Sequence, residues 1–285
     1  MAERVVVIGG GTMGVGICYV AANAGYAVEL VEVDPDRAAA AGTALAARWD
    51  RAVAGDRMSA AAADAARTRV VTATSTGDLA PGPAVVVEAV PERVELKRQV
   101  LRDAERLHPD LLASNTSSIA IGALAAVLAS PDRFCGLHFF NPVWAMPLLE
   151  VVLGPDTSTA TRHAALAFAE RLGKQPIVVA DAPGFASSRL GVALGLEAIR
   201  MVQDGVASPA DIDTAMTLGY RHPMGPLELT DVVGLDVRLA IAETLREAYG
   251  ERFAPPELLV RMVADGKLGR KSGQGFYRWV DGRKA

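Results

Sequence analysis

A chain of 285 residues, 51% hydrophobic and 22% charged, has enough apolar surface for packed cores and enough length for two of them. Its net charge of -4 offers no basic excess to a phosphate backbone, which sets nucleic acid aside, and no run approaches the roughly 20 apolar residues of a membrane span. Cys18 and Cys135 sit in apolar runs without metal-ligand spacing, as reduced thiols of a cytoplasmic protein do, and the four apolar residues 5–8 are too few for a signal-peptide core.

In chain order, residues 5–8 are a β-branched run that stops at Gly9, and 12–24 carry Met13, Ile17, Val20, Ala21 and Ala24 at helical spacing. Gly25 closes that helix and 27–33 give a second apolar strand, so the chain opens on a β-α-β unit. An alanine- and arginine-rich stretch, 36–67, reads as two helices broken at Gly55-Asp56, with Arg48, Arg51 and Arg57 on its polar face. Strands are predicted at 70–72, 85–88, 111–113, 136–138 and 177–180, with helices at 94–107 and 161–172 between them. That alternation points to an α/β domain, a parallel sheet covered on both faces, over residues 1–182. After Asp181-Ala182-Pro183-Gly184 the strand signals stop, and 185–204, 209–218, 227–249 and 256–264 read as helices of an all-helical second domain, 183–285. Ser208-Pro209 is a helix start, with Asp211 and Asp213 suited to its positive end.

Two segments carry chemistry. Gly9-Gly10-Gly11-Thr12-Met13-Gly14 fits Gly-x-Gly-x-x-Gly directly after a strand and at the opening of a helix. There glycines permit a tight turn, close approach of a pyrophosphate to backbone N–H groups, and helix-strand packing. In isolation the string would be a glycine-rich turn; the surrounding β-α-β unit makes it a dinucleotide loop. Glu32, at the end of the second strand, stands where the ribose hydroxyls of NAD need an acceptor, whereas Asp34 before Pro35 suits a helix cap. An acid there repels a 2′-phosphate, so NAD is the expected cofactor, and Arg37 nearby keeps NADP as the lesser alternative. The second segment runs from His138 to Glu150. A histidine at a strand end and a carboxylate twelve residues on suit a base and its orienter, although the spacing equally fits a buried structural histidine and a surface acid.

The segment His138-Phe139-Phe140-Asn141-Pro142, then Met146 and Glu150, resembles the signature of the L-3-hydroxyacyl-CoA dehydrogenase family. Ser114-Asn115-Thr116-Ser117-Ser118 is similar to that family's Ser-Asn-Thr-Ser-Ser turn, and Asp181-Ala182-Pro183-Gly184-Phe185 to its interdomain linker. His222-Pro223-Met224-Gly225-Pro226-Leu227-Glu228-Leu229 and the stretch from Leu268 to Tyr277 resemble its later motifs, so the likeness spans essentially the whole chain. The resemblance implies an oxidoreductase of fatty acid metabolism that interconverts (S)-3-hydroxyacyl-CoA and 3-ketoacyl-CoA by hydride transfer with NAD, as a cytoplasmic homodimer with an acyl-CoA substrate as its partner. By the same carry-over His138 is the general base and acid, Glu150 orients it, and Ser117 contacts the reacting oxygen. Gly9, Gly11, Thr12, Met13, Gly14, Glu32, Glu92, Lys97, Asn141 and Lys271 then contact the cofactor. On their own, Glu92 and Lys97 read as an ordinary charge pair at a helix start, and Lys271 as a solvated charge.

The family commonly reads Gly-Phe-x-x-Asn-Arg after the linker, and here Ser188 takes the asparagine's place as the expected substrate contact. A hydroxyl has shorter reach than an amide, which bears on acyl preference. Two other readings fit the same residues: a dehydrogenase of a carrier-protein-bound hydroxyacyl group or a free hydroxy acid, and a non-catalytic NAD-binding protein. Arg48, Arg51 and Arg57 are either phosphate contacts or solvated charges. Leu190, Val192, Leu194 and Leu196 either form a dimer face or pack within the second domain.

Overall fold

The computed structural model describes residues 3–285. The chain divides into two compact units, the first ending at Ala182 and the second running from Pro183 to Ala285.

The first unit begins with β1 (Arg4–Ile8), α1 (Thr12–Asn23) and β2 (Ala27–Val31), continues through α2 (Pro35–Ala54) and α3 (Ala60–Arg67), and returns as β3 (Val70–Ala73). Then follow β4 (Val85–Glu88), α4 (Val94–Glu105), β5 (Leu111–Ser114), α5 (Ile121–Ala125), β6 (Phe134–Phe139), β7 (Leu148–Leu153), α6 (Thr159–Arg171) and β8 (Gln175–Ala180). They make one eight-stranded sheet in the order β3-β2-β1-β4-β5-β6-β7-β8. The order reverses between β1 and β4, so the strand ends carrying Gly9 and Ala89 flank the crevice where open α/β sheets bind ligands. Val5, Val6, Val7, Val86 and Val87 at the sheet's centre are fully buried, which is why these strands read as continuous apolar runs rather than alternating ones. Cys18 and Cys135 lie in the same core with their thiol pKa values pushed up by burial.

Two strands depart from the expected parallel sheet. β7 runs antiparallel to β6, because residues 140–147 form a connection too short for the crossover that a parallel neighbour needs. Its register places His138 opposite Glu150, and β8, parallel to β7, likewise runs opposite to the first six strands.

The second unit contains α7 (Ser187–Gln203), α8 (Pro209–Thr214), α9 (Pro226–Val233), α10 (Leu235–Tyr249) and α11 (Glu257–Ala264). The single helix expected over 227–249 is two: Gly234 adopts φ +106, outside helical space, and both breaks the run and starts α10. Strand is not absent either. β9 (Trp279–Val280) and β10 (Arg283–Lys284) pair antiparallel across Asp281 and Gly282, both at positive φ, the Asp-Gly turn that two-residue hairpins favour. Val192 and Leu196 are fully buried in this unit's core, while Leu190 is 71% exposed.

Candidate active site

The glycine loop is shaped by close approach. A Cβ at Gly14 would lie 1.8 Å from the Gly9 carbonyl oxygen, and one at Gly9, with φ +112, would lie 2.7 Å from the Ala89 oxygen, so neither position accepts a side chain. Around Gly11 there is open space. The amide of Gly10 donates to Glu32 Oε2 at 3.0 Å, and Arg37 pairs with the same oxygen at 3.3 Å. Glu32 is buried while Arg37 is exposed. Asp34 accepts from the Arg37 amide at 3.0 Å and caps α2. A cavity of about 520 Å³, with Gly9, Gly11, Thr12, Met13, Glu32 and Arg37 in its lining, opens beside the loop. The donor amides, the space at Gly11 and the carboxylate at the strand end fit a dinucleotide.

A second cavity of about 400 Å³ shares Gly11 and Arg37 with the first in its lining and is further lined by Arg48, Arg51 and Trp144. Arg48 is buried, its guanidinium 4.2 Å from the Trp144 ring centre and 5.4 Å from that of Tyr19, with Nε lacking any hydrogen-bond partner. Arg57 lines a separate cavity with Asn23, Met58 and Arg171. Arg48 is a residue that sequence reasoning left open: the polar face of α2 showed its charge, but not that Trp144, far along the chain, would cover it.

His138 and Glu150 meet. The β6–β7 register puts their side chains on one face, and Nδ1 of His138 lies 2.6 Å from Glu150 Oε2. Glu150 is fully buried and His138 nearly so, which strengthens the bond by excluding water. The Asn115 side-chain oxygen accepts from the Phe139 amide at 2.9 Å and ties the end of β5 to the end of β6. Between β6 and β7, exposed Asn141 forms a cis peptide bond with Pro142. The loop there is pinned by the buried Lys174 ammonium, which donates to the carbonyls of Val143 and, at 2.8 Å, Met146. Burial lowers the Lys174 pKa. Lys174 was not singled out from sequence, since a lysine immediately before a strand carries no local signal.

Glu92 organises the serine turn. Its Oε1 accepts from Thr116 Oγ1 at 2.6 Å, from the amides of Ser117 at 2.9 Å and Ser118 at 3.0 Å, and from Ser118 Oγ at 3.0 Å. Its Oε2 is 3.2 Å from the Lys97 ammonium. Lys97 is buried and donates to both Glu88 oxygens, at 2.8 and 3.0 Å, and to the Val90 carbonyl, and Ser114 Oγ donates to Glu88 at 2.5 Å. Burial raises the Glu92 pKa, but Lys97 and the donors of Thr116, Ser117 and Ser118 outweigh it and hold the carboxyl below its ordinary value. Ser117 thus sits on a turn fixed by an ion chain from α4, at the ends of β4 and β5.

In the second unit Ser188 is half-buried in the first turn of α7. Lys271 pairs with Asp236 at 2.6 Å and is 46% exposed. The residues around Lys271 wrap Asp231, whose carboxylate accepts from the amides of Phe276 and Tyr277 at 2.9 Å each and from Trp279 Nε1 at 2.8 Å. Gly269 and Gly275 leave room for that clasp, since a Cβ at either would lie within 2.3 Å of Asp231. Asp213 does not serve the start of its own helix: it accepts from the amides of Leu227 and Glu228 and from the Tyr277 hydroxyl, capping α9 instead.

Residues 4–182 match the family model described as 3-hydroxyacyl-CoA dehydrogenase, NAD binding domain, and residues 184–279 the model described as 3-hydroxyacyl-CoA dehydrogenase, C-terminal domain. The chain is 39% identical to the probable 3-hydroxybutyryl-CoA dehydrogenase of Bacillus subtilis, with 98% of both chains covered. It is 38% identical to the mitochondrial hydroxyacyl-coenzyme A dehydrogenase of Homo sapiens, covering 97% of this chain and 91% of that one. Among solved structures, M. tuberculosis FadB2 superposes with a TM-score of 0.92 at 40% identity, over 98% of this chain and all of that one.

Proposed function

The chain belongs to the 3-hydroxyacyl-CoA dehydrogenase family, and on that premise we propose that it interconverts (S)-3-hydroxyacyl-CoA and 3-ketoacyl-CoA with NAD through the His138–Glu150 pair. The observation that carries the reading is the 2.6 Å contact between those side chains, made by a strand register that admits no other opposite partner for His138.

With Nδ1 engaged by Glu150, proton exchange with the substrate hydroxyl runs through Nε2. In oxidation Nε2 takes the O3 proton while C3 gives up its hydride, and Glu150 stabilises the imidazolium that results; in reduction the same proton returns to the oxygen. The bound nicotinamide supplies the hydride acceptor. Ser117, on the turn held by Glu92, donates to the reacting oxygen, and Ser188 contacts the acyl portion. The glycine loop with Thr12 and Met13 receives the pyrophosphate, Glu32 the ribose, and Glu92, Lys97, Asn141 and Lys271 complete the cofactor contacts. Glu32 favours NAD over NADP because its buried carboxylate stands beside the loop and repels a 2′-phosphate. Arg37, Arg48 and Arg51 in the second cavity offer cations to the phosphates of CoA, which a free hydroxy acid lacks. Exposed Leu190, Leu218 and Tyr220 in the second unit fit a homodimer contact.

Absorbance at 340 nm with acetoacetyl-CoA, NADH and, in parallel, NADPH tests the reading. NADH is expected to be oxidised much faster than NADPH. The variant His138→Asn should bind NADH as the parent does and turn over at least about a hundredfold more slowly, the scale of a lost general base. Near-parental turnover would overturn the assignment of His138.

A further inference from the structure

Lys174 stands immediately before β8, where the chain leaves α6 through Gly173 at φ +70 and the Lys174 amide donates back to the Ala169 carbonyl at 3.0 Å. Its backbone is thus fixed to the end of α6. The side chain runs inward and is 8% exposed, and its ammonium donates to the carbonyls of Val143 and, at 2.8 Å, Met146. No carboxylate among the described residues pairs with it, and burial is what moves its pKa. A buried ammonium met by carbonyls alone keeps much of its desolvation cost, so charge-assisted hydrogen bonds draw those two carbonyls inward.

The two carbonyls belong to the connection between β6 and β7 and flank Trp144. The Ala145 and Met146 amides donate to the Pro142 carbonyl at 2.9 and 3.0 Å, and the Gln175 amide ties Pro147 to β8 at 2.8 Å. None of these bonds engages the backbone of Val143 or Trp144, and the Lys174 ammonium supplies that hold at the Val143 carbonyl. Val143 is buried against α1, where a Cβ at Gly16 would lie 2.7 Å from its Cγ2. Trp144 meets Tyr19, about one turn further along α1, edge-on with ring centres 6.2 Å apart. The same Trp144 ring lies 4.2 Å from the Arg48 guanidinium, and a desolvated contact of that kind fixes where the charge stands. Arg48 lines, with Arg37 and Arg51, the cavity whose cations the proposed function assigns to the CoA phosphates.

We propose that Lys174 is a positioning residue of the acyl-CoA site: by holding the carbonyls that flank Trp144 it keeps that ring on Arg48, and so keeps the Arg48 charge where a CoA phosphate meets it. This rests on the reading of the second cavity as the place of the CoA phosphates. The His138–Glu150 contact follows instead from the β6–β7 register, so Lys174 acts on thioester binding and not on proton transfer.

The test measures NADH-linked reduction of acetoacetyl-CoA and of S-acetoacetylpantetheine, which has the same reacting carbons and thioester but no phosphate, by the parent, Lys174→Met, Lys174→Gln and Trp144→Leu. The parent should have the lower KM for the CoA thioester. Lys174→Met should raise that KM by about tenfold at near-parental kcat, within the range of a desolvated cation–aromatic contact, and leave the KM for the pantetheine thioester unchanged. Lys174→Gln, which keeps an amide donor for one carbonyl, should raise it less, and it carries the same test if the methionine variant does not fold. Trp144→Leu should raise the KM for acetoacetyl-CoA as Lys174→Met does, and the double variant should be no worse than either alone, because both act through one contact. A parent that binds the two thioesters equally shows that the cavity's arginines do not meet CoA phosphates; that reading then fails and this proposal with it. A parent that separates them, with Lys174 variants that keep its ratio of KM values, leaves the reading standing and overturns the role of Lys174. An equal fall of kcat for both substrates makes Lys174 a general prop of the fold and overturns it as well.

Discussion

Oε1 of Glu92 gathers donors from Thr116, Ser117 and Ser118, while Oε2 faces Lys97. The charged form of Glu92 is therefore part of the folded turn, and its lowered pKa ties the turn to pH. A carboxyl with a folded pKa below its ordinary 4.5 contributes stability above that value and loses it as pH falls through the folded pKa. Glu92→Gln should consequently lower the thermal midpoint at pH 7, and the gap between parent and variant should narrow as pH is taken below 4.5. A gap that stays constant down to pH 3 or so would mean that the charge is not what holds the turn. Turnover should fall with the loss of Ser117 placement, by about tenfold or more, whereas Lys97, still paired with Glu88, remains buried. The sequence offered two readings of Glu92, an ordinary charge pair and a cofactor contact, and neither included the serine turn. Hydrogen bonds that join residues 24 to 26 positions apart leave no trace in local spacing. Arg48 was equally undecidable, because the ring that covers it comes from the loop between β6 and β7.

At the scale of elements, the legible ones were those whose signal is periodic and local. β1, α1, β2 and the paired helices α2 and α3 follow from apolar spacing and from the Gly9, Gly25 and Gly55 breaks. β7 was missed because Glu150 interrupts its apolar run, and its orientation depends on a short loop rather than on the strand itself. The break between α9 and α10 at Gly234 and the Asp281-Gly282 turn were in the sequence, but a single glycine within a helical pattern and a two-residue strand are weak signals. The stretch from Leu268 to Tyr277 was legible as a motif and not as a clasp on Asp231. Removing the carboxylate in Asp231→Ala leaves the Phe276 and Tyr277 amides and the Trp279 indole without their acceptor. The expected loss is about 3 kcal/mol, read as a shift of the urea midpoint at unchanged slope. A loss under about 0.5 kcal/mol would show that water replaces the carboxylate without cost.

Across the whole molecule, the change from strand-helix alternation to helix after helix marks where the chain divides, and each side has its own buried core. The residues proposed for the site divide at the same place. The glycine loop, Glu32, Glu92, Lys97, Ser117, His138, Asn141 and Glu150 all precede Ala182, while Ser188 and Lys271 follow Pro183. If the division of labour matches the division of the chain, a fragment of residues 1–182 should quench NADH fluorescence with a Kd within about tenfold of the full chain, yet reduce no acetoacetyl-CoA. Lys271 is the residue on which that margin depends. Its ammonium is taken up by Asp236 and is partly exposed, and a surface pair of that kind is worth at most about 1 kcal/mol, so the cofactor contact it makes should be small. A fragment that keeps the circular dichroism of a folded α/β domain but binds NADH more than about a hundredfold more weakly would place a major part of cofactor recognition after Pro183. Lys271 would then be the first residue to replace in the full chain, because it is the cation that the family resemblance assigns to the cofactor from that side.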